Sequence, residues 1–134
     1  MSIMFVPIDN TIDNTIHNEN NEPYMPFRTP HAEPEYELFA GYHVQMIHAE
    51  RTTVMYVRVE AGKPFPEHSH PHEQITNVLE GEFEMTVGGE TRVLRSGECA
   101  VIPPNVLHSG RALTPCRLID VFAPVREDYV ARFG

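Results

Sequence analysis

The chain predicts an all-β protein, and three observations carry that prediction. Short runs of alternating apolar and polar residues follow one another from about Glu37 onward. Gly- and Pro-bearing turn signals separate them, and a Gly88-Gly89 pair between two alternating runs signals a two-residue hairpin. Short strands at such regular spacing pack as a sandwich or a barrel.

Taken in order, residues 1–34 differ from the rest and are read as an N-terminal arm, with 35–134 as the barrel domain. Asn10, Asn14, Asn18, Asn20 and Asn21 punctuate a short near-repeat in the arm. Pro23, Pro26, Pro30 and Pro34 follow at a density that excludes a helix. Two readings of the arm stand: loosely ordered, or extended over the barrel or a partner chain with Ile3, Phe5, Tyr24, Met25 and Phe27 as anchors. Strands are expected at 38–47, 52–59, 74–79, 82–87, 91–94, 98–102, 107–111 and 117–122. The turns between them fall at Ala61-Gly62-Lys63-Pro64, Glu80-Gly81, Gly88-Gly89, Ser96-Gly97 and Pro103-Pro104-Asn105. A short helix over 126–133 closes the chain, with Glu127 and Asp128 favourable in its first turn.

Composition narrows the function classes. The 134 residues suit one domain with a single sizeable core. A formal net charge of −9 and no Lys/Arg stripe argue against nucleic acid and against anionic membranes as partners. No apolar run is long enough to span a bilayer, and the N-terminus lacks the basic and apolar regions of a secretory signal. Cys99 and Cys116 do not form a CxxC clip; they are read as two reduced thiols of a cytoplasmic protein, with a single bridge as the alternative.

The densest chemistry lies between Gly62 and Gly81. His68 and His70 are two residues apart, so on an extended strand both imidazoles project from one face, and Gln74 keeps that parity if the strand resumes in register. A second Gly/Pro-punctuated block, from Gly97 to His108, can bring in one more imidazole. Converging imidazoles with a third polar group are what a divalent transition metal needs. Glu73 has the opposite parity and is expected to face out, His72 falls at the rim, and His17, His31, His43 and His48 read as surface residues.

These blocks resemble the two signature motifs of the cupins. Gly62-x5-His68-x-His70-x3-Gln74-x6-Gly81 matches the first and Gly97-x5-Pro103-x-Asn105-x2-His108 the second, with the short spacing of small bacterial members. The resemblance implies a jelly-roll β-barrel (a double-stranded β-helix) holding one metal in its mouth. It gives His68, His70 and His108 as imidazole ligands and Gln74 as the fourth. The sequence departs from the pattern in three places: Gln74 stands for the usual Glu, Asn105 for a Gly and Ala112 for a closing Asn. Three imidazoles and an amide leave the charge of a divalent ion uncompensated, which favours Lewis-acid work over electron donation to O₂. The donor set suits Zn²⁺, Ni²⁺, Fe²⁺ or Mn²⁺ without choosing among them.

In the run from Cys116 to Val125, alternation puts Leu118, Asp120 and Phe122 on one face. Periodicity leaves open whether that face is the barrel interior, where a desolvated Asp120 would suit acid–base work, or solvent. Asp120-Val-Phe122-Ala-Pro-Val-Arg126 and the His-x-His-x3-Gln motif together resemble the small cupins of pectin and alginate breakdown, which linearise 4,5-unsaturated monouronates. That resemblance implies proton transfer by Asp120, packing of Phe122 on the sugar ring, and binding of the uronate carboxylate by Arg126. The expected protein is thus a metal-dependent isomerase or lyase acting on a small sugar acid, assembled as a homodimer. A cupin dioxygenase and a non-catalytic sugar- or metabolite-binding module are the alternatives.

Overall fold

The computed structural model describes residues 15–134. Most of the Asn-rich near-repeat, with Ile3 and Phe5, lies outside them. After a 3-10 turn at Pro30–Ala32 come β1 (Tyr36–Phe39), β2 (Tyr42–His48), β3 (Thr53–Val59), β4 (Pro64–His68), β5 (Glu73–Glu80), β6 (Phe83–Val87), β7 (Glu90–Leu94), β8 (Cys99–Ile102), β9 (His108–Ala112), β10 (Cys116–Ala123) and α1 (Glu127–Phe133). All strand pairs are antiparallel. They form a six-stranded sheet in the order β1-β2-β3-β10-β5-β8 and a four-stranded sheet in the order β4-β9-β6-β7. Two antiparallel sheets closing on one core make the all-β jelly roll expected of the chain.

The core follows from strand alternation. Thr53, Met55, Val57 and Val59 of β3 face inward, as do Gln74, Thr76 and Val78 of β5 and Cys116, Leu118 and Phe122 of β10. Phe83 and Met85 of β6 meet them from the other sheet. The interior is apolar through most of its depth and becomes polar at one end, where Gln74, Thr76, His108 and Arg126 are buried.

Two expectations are corrected. Residues 38–47 are not one strand: the Ala40-Gly41 turn breaks them into β1 and β2, which pair with each other. Strand β4 was hidden by Pro64 and Pro66, residues that a sheet tolerates at an edge, and β4 is the edge of its sheet. In the arm, Met25 and Phe27 are largely exposed, whereas Tyr24 lines a groove with His48, Ala49 and Glu50 at the end of β2. What ties the chain down before β1 is the Gln45 amide, which donates to the carbonyls of His31 and Glu33.

Gly81, at the β5–β6 turn, has φ +88, and a Cβ there would run into the Pro115 carbonyl oxygen, the Cys116 sulfur and the Thr114 hydroxyl. Gly89 has a similar φ of +85 but open space around it. Gly89→Ala is therefore expected to cost about 1 kcal/mol from backbone strain alone. Gly81→Ala should cost about 3 kcal/mol or more because overpacking adds to the strain. Urea unfolding of both variants checks this; equal losses would contradict it.

Candidate metal centre

His68 ends β4 and His108 begins β9, and the two are direct cross-strand partners with ring centroids 4.1 Å apart. His70 is not on a strand. It sits in the loop between β4 and β5, so the same-face parity read from the sequence does not bring it in. The loop does so instead. The Asn105 N–H donates to the His70 carbonyl at 2.8 Å, tying the loop to the turn before β9. Asn105 has φ +64, a left-handed conformation that Asn tolerates better than other side-chain-bearing residues. This explains how it can stand where the motif usually has Gly. Ala112, the other departure, is fully buried in the core.

The three rings share one orientation rule. The Nδ1 of His68 lies 2.9 Å from the Pro66 carbonyl, that of His70 3.0 Å from the His72 carbonyl, and that of His108 2.8 Å from the Val106 carbonyl. A carbonyl can only accept, so each Nδ1 carries the proton and each neutral ring presents the Nε2 lone pair. The three ligand atoms lie within 4.8 Å of one another. Among the described residues the buried Nε2 of His108 has no hydrogen-bond partner. Burial is the main cause that holds all three imidazoles below their ordinary pKa, with His68 lowered to about 4, and the nearby Arg126 charge adds to it. They are thus neutral at physiological pH, the state a metal ligand requires.

Gln74 places a fourth donor atom beside the imidazoles. It is the first inward residue of β5, is buried, and turns Oε1 to within 2.9 Å of the His70 Nε2 while its Nε2 donates to the Thr76 hydroxyl. Two lone pairs facing each other at that distance repel unless a cation lies between them. Donors about 2.1 Å from a shared ion stand about 3 Å apart, so the residues present fit a bound divalent metal. Glu73 is exposed, as its parity implied. A second cluster, Glu37, His43 and Glu60, is largely exposed, and its members already serve one another or the backbone.

Asp120 lies in the barrel interior rather than on the solvent face. It lines the same pocket as His68, Gln74, His108, Phe122 and Arg126. Its Oδ1 is buried with no hydrogen-bond partner among the described residues. Burial pushes the carboxyl up to about 6, against a smaller downward pull from Thr76, Gln74 and Arg126. Phe122 is buried between the ring of His70 and the guanidinium of Arg126.

Arg126 is only 5% exposed and sits over the rings of Tyr129, at 3.9 Å, and Phe122, at 4.7 Å. The Asp128 carboxylate takes its Nε at 3.0 Å and its Nη2 at 2.8 Å. That contact occupies one side of the guanidinium and leaves the Nη1 end for another acceptor. The sequence reading missed three of these groups. Thr76 shares the inward parity of Gln74, a signal that was present. Asp128 read as a favourable first-turn residue of a helix, and Tyr129 as part of that helix.

The cupin domain model matches residues 55–122, and the chain belongs to this family. Over 65 residues it is 37% identical to the pectin degradation protein KdgF of Dickeya dadantii. That match takes in 47% of this chain and spans only 59% of the relative's length. The structure of KdgF from Halomonas sp. superposes with a TM-score of 0.73 at 30% identity, over 78% of this chain and 98% of that one. An RmlC-like cupin from Shewanella frigidimarina gives 0.74, also at 30% identity, over 79% and 96%.

The depressed imidazoles set a pH dependence for the chelator-treated protein. Below the ordinary histidine pKa of 6.5, the unfolded chain takes up protons that folded His68, His70 and His108 refuse. Stability is therefore held above that pH and lost as pH falls toward about 4, where His68 finally protonates in the fold. Asp120, raised to about 6, works the other way over part of this window, one group against three. The thermal midpoint should drop between about pH 7 and pH 5; a midpoint that rises would contradict the assignment.

Proposed function

We propose that this protein is a metal-dependent enzyme that converts a small sugar acid, a 4,5-unsaturated monouronate, from its ring form to the linear ketone. One observation carries the reading: a single pocket holds the His68/Gln74/His108 side and the Asp120, Phe122 and Arg126 side together, with His70 packed on Phe122. The relatedness to proteins named KdgF supports the substrate class. One divalent transition ion, Zn²⁺, Ni²⁺, Fe²⁺ or Mn²⁺, would be held by His68, His70, His108 and Gln74. When bound, it acts as a Lewis acid on the ring or anomeric oxygen.

The chain's own residues account for the rest. The free end of Arg126 takes the substrate carboxylate, and Asp128 keeps the guanidinium from swinging away. Phe122 and the apolar pocket wall flank the sugar ring. Asp120 removes the proton of the anomeric hydroxyl as the bond from C1 to the ring oxygen breaks, leaving an aldehyde and an enolate. A proton returned to C4 completes the ketone, so the reaction is an isomerisation that needs no co-reactant. A carboxyl near 6 can both take and give a proton close to neutral pH.

The proposal extends to a homodimer in the cytoplasm. Ile47, Val54, Val121, Ile75 and Val101 are paired in one row across five strands on the outer face of the large sheet. An apolar row of that length favours a covering partner. Two free thiols suit a reducing compartment.

Proton NMR of 4,5-unsaturated galacturonate tests the reading. The metal-loaded protein should speed loss of the ring-form signals, and Asp120→Asn should lower the rate by about 100-fold or more with metal content unchanged. No acceleration by the native protein would refute the substrate assignment. Full activity in Asp120→Asn would remove Asp120 from the chemistry.

A further inference from the structure

We propose that Thr76 is a positioning residue of the metal centre: its hydroxyl accepts the Gln74 amide N–H and so holds Oε1 turned toward the imidazoles. The inference rests on the metal-centre reading above and on no particular substrate.

A glutamate ligand offers an oxygen whichever way its head group turns. Glutamine does not. Its two ends have the same shape, and only the oxygen has a lone pair to give, because the amide nitrogen's is delocalised. Replacing the usual carboxylate by Gln74 therefore creates a need that the family pattern lacks, a device that sets the rotation of the amide. Thr76 is the one inward-facing neighbour of Gln74 along β5, is 1% exposed, and places Oγ1 2.9 Å from the Gln74 Nε2.

A hydroxyl alone would not decide the matter, since it can accept from an NH₂ or donate to an oxygen. Asp120 decides it. Asp120 is the cross-strand partner of Thr76 in the β10–β5 pair, so both side chains stand on the inner face at contact distance. A carboxylate there can only accept, and both Thr76 and Gln74 pull its pKa down by presenting donors to it. A Thr76 hydroxyl whose proton turns toward that neighbouring carboxylate has only lone pairs left for Gln74. It takes the Nε2–H, and Oε1 faces His70. The donor ends of Gln74 and Thr76 then both point toward the Asp120 side, away from the imidazoles, linking the proposed metal ligand to the proposed acid–base residue. Such outer groups influence a metal site nearly as strongly as its ligands do.

The test is affinity for Zn²⁺ alone, measured by competition with a chromophoric chelator, with no substrate present. Thr76→Val keeps the shape and removes the hydroxyl; it should bind about 10- to 100-fold more weakly. Thr76→Ser restores the hydroxyl and should bind within about threefold of the native protein. Because Thr76 acts through Gln74, adding Thr76→Val to Gln74→Ala should cost nothing beyond Gln74→Ala itself. Thr76→Ala repeats the deletion if the valine variant does not fold. Native affinity in Thr76→Val, or an equal further loss in the Gln74→Ala background, would overturn the inference while leaving the metal centre standing. A native protein that takes up no Zn²⁺ would overturn both.

Discussion

Three main-chain carbonyls, of Pro66, His72 and Val106, each take the Nδ1 proton of an imidazole, and the functional end of the barrel depends on that arrangement. It sets the tautomer of every ring, turns three Nε2 lone pairs inward, and does so with backbone that the strands and their connecting loops already hold in place. The site is thus built before any ion arrives. Each carbonyl lies two residues from the histidine it clips, so the short segments that carry the rings also aim them.

The rest of the pocket answers to the charge this creates. Arg126 is buried close enough to depress all three imidazoles, and its own charge is balanced by Asp128. The amide of Gln74 adds none. The enclosed carboxylate is Asp120, set off from the imidazoles by Gln74 and Thr76, and burial keeps it near the pH at which protons are easily exchanged. The free end of Arg126 in this pocket is what the proposed sugar-acid substrate would use for its carboxylate.

Much of this was legible in the sequence because strand alternation and motif spacing are local. Seven of the strands and the closing helix follow from them, and motif spacing singles out the four proposed donor residues. What was not legible depended on contacts between distant segments. The proline-bearing β4 reads as a loop until β9 is seen beside it. His70 owes its place to a hydrogen bond from Asn105 rather than to strand parity. The inward face of Asp120 was undecided until β10 was seen between β3 and β5 at the middle of the larger sheet. Asp128 is two residues from Arg126, but nothing in their spacing says that a first-turn helix acid will turn back to grip a buried guanidinium.

The central claim is that the three histidines hold a metal, and the most direct measurement is metal content by mass spectrometry on tag-free protein beside its His70→Ala variant. The account predicts about one transition-metal ion per native chain and a sharp loss in the variant. Equal occupancy in the two proteins would place the ion elsewhere, and a native chain that stays empty after reconstitution would contradict the account.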